Sequence, residues 1–393
     1  MIPASVERRA RWVLDSIGAT NVGFGDDVRY DADAWEQVDR GELPAHDEVA
    51  AGFFHLARVE ERNGPRDEHG RFRAEWSLLD PLDPPLERLR RKLGVQDNSF
   101  AVALTHDVDT PWRWTPIGVR GAAARLKRNV LHARAAPAIR EATALAAAPV
   151  HRLRGTDPNW RFREIAAQER RAGGSGSTFF VLAGHHDPHD GAAPERYAAL
   201  RPRLVETLKD AGAEIGLHGS YTAADDSARL AEEKAKLEQL AGGPIAGHRY
   251  HYLRGDPHRN IARLPFRYDT TLGFPDAVGF RAGIARPFHP WDFDRDAPAD
   301  ILEIPLAAMD ATLAEERYLG LSAKRAEPQL TALLDWATAN GGAFAILWHP
   351  DRFDPLTSGG WDRLYSRVLE GVRERDGACM SAGELSSHST WSK

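Results

Sequence analysis

The chain has 393 residues, of which 42% are hydrophobic and 27% charged, a composition typical of a globular protein with two domains or one enlarged α/β domain. Its net charge of −6 argues against a general nucleic-acid binder, and its single cysteine, Cys379, excludes an internal disulfide framework and a cysteine-rich zinc site. The first residues lack the apolar core of a signal peptide, and no apolar run reaches the roughly 20 residues needed to span a bilayer, so we expect a soluble, cytoplasmic protein with no transmembrane segment.

The first 95 residues are acidic and rich in loops, and they predict a small N-terminal α+β cap or domain (1–95) ahead of a larger domain (96–393). The apolar run at 53–57 predicts a strand. The proline-punctuated stretch 79–87 leads into a predicted short helix at 86–93.

From residue 98 onward, short apolar runs alternate with amphipathic patterns. The runs predict strands at 100–104, 177–182, 214–217, 245–248, 301–304 and 343–348. Helical patterns lie at 162–172, 194–210, 228–241, 327–339 and 360–374. This alternation predicts a parallel α/β sheet, open or closed.

One stretch, residues 120–154, is basic in an otherwise acidic chain. It holds eight Arg and Lys residues against one acid, Glu141, in an alanine-rich pattern. We expect one or two helices here, as an insertion at about 115–158 between the first and second strands. The stretch is either a solvated helical face or a surface that contacts an anionic glycan or a membrane.

Polar side chains follow the predicted strands at the point where each strand ends. They are Asp107 and Asp109, His185 and His186, His218 and Ser220, Arg249 and His251, and His349 and Asp351. In parallel α/β folds the active site lies at the carboxyl ends of the strands. The sequence therefore predicts one site at this rim.

Asp107 and Asp109 are two residues apart in an extended segment, so their side chains point the same way. Two close carboxylates repel each other unless a cation neutralises them, and a divalent metal on one leaves the other free as a general base. His218 would complete an ordinary ligand set for Zn²⁺. Read singly, the two aspartates also suit a turn before Pro111, and His218 also suits a structural role.

Arg249 and His349 end two further strands. Arg249 suits bidentate binding of a carboxylate, or a surface ion pair. His349 suits a general acid whose tautomer is fixed by Asp351 or another carboxylate, or a turn imposed by Pro350. His106 alternates away from the aspartates, so we expect it to pack behind the site.

Four segments occur in a characteristic order: 105–109 (THDVD), 217–220 (LHGS), 249–252 (RYHY) and 347–349 (LWH). Together they resemble the motifs of the polysaccharide deacetylase superfamily, the NodB-homology domain of carbohydrate esterase family 4, over about residues 98–385. Segments 66–72, 268–274, 279–288 and 302–306 are similar to a bacterial subfamily found with surface-polysaccharide genes. The resemblance implies a distorted TIM-like barrel that removes acetyl groups from an N-acetylated glycan or glycan precursor.

The resemblance also implies a divalent metal ion, Zn²⁺ or alternatively Co²⁺ or Ni²⁺, whose bound water loses a proton to the base and attacks the amide carbonyl. Six positions carry over. Asp107 resembles the base, Asp109 a metal ligand, His218 the first histidine ligand, Arg249 the arginine that positions the base, Tyr252 the backbone donor to the oxyanion and His349 the general acid.

The chain departs from the family at Thr222, where a second histidine ligand is expected. His251, which stands where the family has proline, is our preferred replacement. The alternatives are the cluster of His185, His186 and His189, a water with Thr222, or no tightly bound metal. The resulting hypotheses are a metal-dependent deacetylase, a non-catalytic carbohydrate-binding relative with a degraded metal site, and a hydrolase of a non-sugar amide.

Overall fold

The computed structural model describes residues 2–95, 99–191, 193–255, 261 and 263–388. Its N-terminal part is helical. The helices are α1 (Ala4–Ser16), α2 (Ala32–Asp39), α3 (Glu48–Leu56), α4 (Val59–Arg62) and α5 (Pro85–Lys92). The predicted helix at 86–93 is confirmed as α5.

The strand predicted at 53–57 is wrong, because these residues belong to α3 and the residue after it. The side chain of Asp47 caps the helix by accepting hydrogen bonds from Val49 N and Ala50 N at 2.9 Å each. Phe53 and Phe54 are both fully buried. An apolar run buried on adjacent positions is therefore a helix enclosed by its neighbours, which periodicity alone does not separate from a strand.

The N-terminal helices share a hydrophobic core with a distant part of the chain. Val13, Phe53 and Leu86 pack in one cluster with residues of the segment 272–291, among them Ile284 and Trp291. Glu61 of α4 also binds Arg281 of that segment through two buried hydrogen bonds of 2.8 and 2.6 Å. The N-terminal helices are thus fastened to the larger, sheet-containing part.

In the described part of the chain, nine strands form one sheet, and two more form a separate antiparallel pair. The strands are β1 (Phe100–Val108), β2 (Thr178–Leu182), β3 (Glu214–Gly219), β4 (Gly247–Tyr250), β5 (Tyr268–Asp269), β6 (Trp291–Asp292), β7 (Ala297–Pro298), β8 (Leu302–Glu303), β9 (Leu306–Met309), β10 (Gly342–Leu347) and β11 (Ala378–Met380). The main sheet runs β8-β5-β4-β3-β2-β1-β10-β9, with β11 also beside β1, and all its pairs are parallel. All six predicted strands are present, with the fourth shifted to β4 and the fifth shortened to β8.

The two ends of this sheet meet. Strands β8 and β9 lie at opposite ends of the order, yet only Ile304 and Pro305 separate them along the chain. Ile304 N donates to Asp269 O at 2.9 Å on one side, and Ala345 N donates to Pro305 O at 2.8 Å on the other. The sheet therefore curls into a distorted TIM-like barrel, as predicted.

Helices surround the barrel. They are α6 (Pro116–Leu131), α7 (Ala135–Arg154), α8 (Phe162–Arg171), α9 (Pro194–Asp210), α10 (Ser227–Ala241), α11 (Asp310–Ala314), α12 (Ala323–Asn340), α13 (Trp361–Glu374) and α14 (Ala382–Ser387). All five predicted helices are present, and the basic stretch forms α6 and α7. Within the described ranges, we find no helix with the length and apolar character needed to cross a membrane.

Strand register sets which side chains meet at the carboxyl rim. His218 on β3 pairs with Arg249 on β4, so these neighbours project from the same face. Asp107 on β1 pairs with Phe180 on β2, which pairs with Gly216. A Cβ at Gly216 would lie 2.4 Å from the Phe180 ring, so glycine makes room for the ring inside the barrel.

Candidate metal centre and active site

Asp109, His218 and His251 converge at the rim. His218 Nε2 lies 3.3 Å from Asp109 Oδ1, and His251 Nε2 lies 3.5 Å from Asp109 Oδ2. One ligand atom from each residue lies within 4.8 Å of the other two. The structure therefore brings together the three residues that the sequence analysis assigned to a metal.

The hydrogen bonds of this cluster fit a cation. His218 Nδ1 donates to the carbonyl of Arg249 at 2.9 Å, and because a carbonyl only accepts, Nδ1 carries the hydrogen and Nε2 keeps its lone pair in the neutral ring. His218 Nε2 and Asp109 Oδ1 are buried and have no hydrogen-bond partner among the described residues. Two nitrogens and a carboxylate oxygen in this arrangement suit Zn²⁺ and similar ions.

His251 reaches the cluster from a tight turn after β4. Tyr252 and Leu253, which follow it, have φ angles of 62° and 52°. Residues other than glycine rarely adopt this left-handed backbone conformation. Behind it, Asp190 is fully buried and accepts from His251 Nδ1 at 3.1 Å. This bond leaves His251 Nε2 to face Asp109.

The sequence analysis missed Asp190. Its carboxylate also accepts from the backbone of Tyr221 at 2.7 Å and from His186 and Asp187 at 3.1 Å each. The sequence feature that could have identified it is the pair of Asp187 and Asp190 on either side of Pro188. These two aspartates form a capping box over one helical turn. Asp190 is thus held by the backbone and in turn holds His251.

The other candidates for the third ligand have different partners. The hydroxyl of Thr222 accepts from Arg229 at 2.6 Å. The remaining histidines pair as follows: His185 with Arg201, His186 with Glu233 and His189 with Asp187. Within the described residues, Asp109, His218 and His251 form the one cluster with metal-ligand spacing.

Arg249 is fully buried and holds Asp107 through one nitrogen. Its Nη1 donates to Asp107 Oδ1 at 2.8 Å. Its Nη2 donates to Thr105 Oγ1 at 2.9 Å, and its Nε to Thr270 O at 2.9 Å, so the expected bidentate contact is replaced by a single bond. The other carboxylate oxygen of Asp107, Oδ2, is not bound by Arg249 and lies 3.5 Å from His218 Nε2.

His349 follows β10 and is bound to Asp310, a buried residue directly after β9. His349 Nδ1 donates to Asp310 Oδ1 at 2.6 Å, and the backbone of His349 donates to Asp310 Oδ2 at 3.0 Å. His349 Nε2 lies 3.5 Å from Asp109 Oδ2. Asp310, rather than Asp351, is therefore the carboxylate that fixes the ring of His349. The sequence analysis overlooked Asp310, although it directly follows the apolar run of β9.

Charges in the cluster shift its titration strongly. Burial alone would lower the pKa of His349, but Asp310, followed by Asp109 and Asp107, raises that pKa to about 10. Burial would also lower the pKa of His251, but the nearby carboxylates of Asp109 and Asp190 raise it to about 9. A divalent ion at this cluster must displace the proton of His251, so its binding would release protons.

His106 lies behind the site, as predicted. It is fully buried, and its ring nitrogens lie 2.7 Å from Trp348 O and 2.7 Å from Glu169 Oε1. Its ring stacks on Phe179 at 4.5 Å between centroids. These contacts fasten the strand that carries both aspartates.

The N-terminal segment 66–72 reaches the same rim. Arg71, bound to Asp67 at 2.8 and 2.6 Å, donates to the carbonyl of Tyr252 at 3.2 Å. His69 lies 3.1 Å from the hydroxyl of Tyr221. The left-handed turn after β4 is therefore held from outside the barrel.

A cavity of about 120 Å³ opens beside the cluster, lined by Asp107, Asp109, Glu315, His349 and Arg352 among others. It has room for several water molecules or a small acyl group. Fold and site together define a class: a parallel, barrel-like α/β protein with a histidine–carboxylate centre at the carboxyl ends of its strands.

Several solved structures have a chain path similar to that of this protein. One is a Mycobacterium smegmatis protein assigned to the polysaccharide deacetylases, with 17% identity, 74% of this chain and 91% of that chain covered, and a TM-score of 0.46. A second is PuuE allantoinase, with 15% identity, coverage of 73% and 88%, and a TM-score of 0.46. A third is a carbohydrate esterase family 4 pseudoenzyme from Bacillus anthracis, with 12% identity, coverage of 75% and 70%, and a TM-score of 0.36.

No protein-family model and no curated protein matches the chain. The surface-polysaccharide subfamily stays a prediction.

Proposed function

We propose that this chain is a metal-dependent hydrolase that removes N-acetyl groups from a glycan or glycan precursor. One observation carries the proposal: a candidate proton acceptor, Asp107, and a candidate proton donor, His349, both contact the cluster of Asp109, His218 and His251. A divalent ion bound there would acidify a water molecule and polarise the amide carbonyl.

Asp107 is the proposed base. Because Arg249 occupies its Oδ1, the oxygen left to accept a proton is Oδ2, which faces His218 Nε2 at 3.5 Å. Arg249 itself is fixed by Thr105 and Thr270, so the carboxylate has little freedom to turn. This rigidity keeps the acceptor aimed at the cavity.

His349 is the proposed acid. Its Nδ1 is committed to Asp310, so the proton available to a leaving amine is on Nε2, which points toward Asp109. The raised pKa of His349, about 10, keeps the ring protonated at neutral pH. An amine leaves far more readily once it is protonated, which is the task of a general acid.

The backbone N–H of Tyr252 is the proposed donor to the developing oxyanion. The residue has φ 62° and ψ 11°, so its backbone is turned away from the ordinary helical or extended directions. Its ring is half-buried beside His251, at 4.8 Å between centroids. A polar aromatic surface next to the cluster of proposed metal ligands suits a sugar ring.

Acetate release from N-acetylated oligosaccharides, with Zn²⁺ or Co²⁺ added, tests the proposal. We expect activity in the wild type, loss of at least 100-fold in Asp107→Asn, and metal binding that this variant retains. Asp225→Asn, which changes an exposed carboxylate paired with Arg254, is the matched control and should be fully active.

Each competing hypothesis has its own result. In one outcome, the protein binds metal and hydrolyses a cyclic amide but releases no acetate from any glycan. This result would identify a hydrolase whose substrate is a non-sugar amide. Glycan binding without metal binding or hydrolysis would indicate a non-catalytic relative.

A further inference from the structure

The helical hairpin α6–α7 (residues 116–154) exposes apolar side chains. Nine large hydrophobic residues are exposed among the described residues, and seven of them lie on this hairpin: Ile117, Val119, Val130, Leu131, Ile139, Val150 and Leu153. Leu153 is 88% exposed and Leu131 72%. Such concentration in one element marks an interaction surface rather than scattered surface residues.

Helix α7 carries these side chains as a continuous stripe. Ile139, Ala142, Ala146, Val150 and Leu153 are all exposed, and their spacing of three or four residues places them on one helical face. A helix packed on a barrel normally turns its apolar face inward and its polar face outward. On α7 the outward face is apolar, so the solvated-face interpretation does not explain it.

The hairpin that carries the stripe is also rich in positive charge. Residues 120–154 hold eight Arg and Lys and one acid, in a chain whose total charge is −6. The acid, Glu141, is already bound by Arg113 at 3.0 Å and Arg125 at 2.8 Å. The exposed basic residues Arg120, Lys127, Arg128, Arg152 and Arg154 are therefore available to an anionic partner.

We propose that the hairpin docks on an anionic lipid surface, with the α7 stripe between the headgroups and the basic residues against their phosphates. A second copy of the chain would bring two identical positive faces together across a symmetric contact, which repels. An anionic glycan would satisfy the charges but leave the apolar stripe in water. A lipid surface satisfies both.

The hairpin lies near the proposed active site. Arg134, between α6 and α7, pairs with Glu316, whose neighbour Glu315 lines the site cavity. The hairpin also forms one wall of a groove of about 1210 Å³, together with Trp112 and Trp114. Docking would therefore hold the cavity close to the bilayer.

Co-sedimentation of the full chain with vesicles tests the docking. We expect binding to vesicles of phosphatidylglycerol and phosphatidylcholine, and none to phosphatidylcholine alone. The triple variant Lys127→Gln, Arg128→Gln, Arg152→Gln should lower the partition coefficient on the order of 100-fold, since each basic residue near an anionic surface contributes about fivefold. Ile139→Ser with Leu153→Ser should lower it at least tenfold.

The matched control is Leu78→Ser with Leu356→Ser, which changes two exposed leucines outside the hairpin and should bind like the wild type. Thermal unfolding of each variant shows that the fold is kept. Equal binding to neutral vesicles, or no binding to anionic ones, overturns the proposal. So does a dimer in sedimentation that the stripe variant dissociates, or binding to dextran sulfate without binding to vesicles.

Discussion

Replacing Asp190 by asparagine should weaken metal binding although Asp190 is not itself a proposed ligand. Its Oδ1 accepts from His251 Nδ1 at 3.1 Å and from Tyr221 N at 2.7 Å, and its Oδ2 accepts from two backbone N–H groups at 3.1 Å. An asparagine must place its NH₂ group at one of these positions. In either orientation, a donor then faces two donors.

The size of the effect follows from burial. Asp190 is fully buried, so an opposed donor there costs about 1–3 kcal/mol, which the turn relieves by moving or by releasing His251. Loss of the carboxylate that orients a metal-binding histidine typically weakens the metal about 10–100-fold. We expect a Kd for Zn²⁺ or Co²⁺ raised by that factor, or about 1.4–2.8 kcal/mol.

Competition with a chromophoric chelator measures this Kd, and thermal unfolding reports any change in stability. Asp187→Asn is the matched control, because Asp187 caps the same turn through His189 N at 2.9 Å and has no bond to His251. Its metal affinity should stay within about twofold of the wild type. If Asp190→Asn binds metal as tightly as the wild type while remaining folded, Asp190 does not set the orientation of His251.

Three further substitutions test other parts of the structure. Asp310→Asn should lower kcat for acetate release about 10²–10⁴-fold with little change in metal affinity, because His349 loses the carboxylate that does most to raise its pKa. An unchanged kcat would show that the proposed acid does not depend on Asp310. Arg71→Ala should lower kcat about tenfold with KM nearly constant, since Tyr252 loses its external hydrogen bond, and Arg71→Lys should restore part of it. Burial lowers the pKa of His55 to about 4, so the unfolded chain binds a proton below pH 6.5 that the folded chain does not. Wild type should therefore lose about 2 kcal/mol more than His55→Gln in urea unfolding between pH 7 and pH 5; equal losses would refute the assignment.

The parallel sheet and its rim were predictable from sequence because both depend on local patterns, whereas the barrel was expected only from the resemblance to a known family. Apolar runs that end in polar residues identify strands and the edge at which they end. His218 and Arg249 each follow such a run, and the pairing of β3 with β4 places them side by side. Asp109 and His218 could be named as metal ligands for the same reason, whereas His251 was chosen only after the family resemblance showed Thr222 in the place of a histidine.

The supporting carboxylates were not predictable, because their partners are far away along the chain. Asp190 is 61 residues from His251, and Asp310 is 39 residues from His349. Neither stands in a pattern that names its partner; the pairs arise from which strands become neighbours. Helix α3 was missed for the opposite reason, since its local apolar run suits a strand and a helix equally.

The turn after β4 links two tasks that would otherwise be independent. Thr222, at the expected place of a histidine, is bound to Arg229, and the proposed ligand nitrogen comes instead from His251, next to the proposed oxyanion donor Tyr252. Asp190 holds the first of these residues and Arg71 the second. If both assignments hold, metal affinity and stabilisation of the oxyanion depend on one turn held from two sides. Because Arg71 belongs to the first 95 residues, the N-terminal region is part of the proposed active site and not only a cover for the barrel.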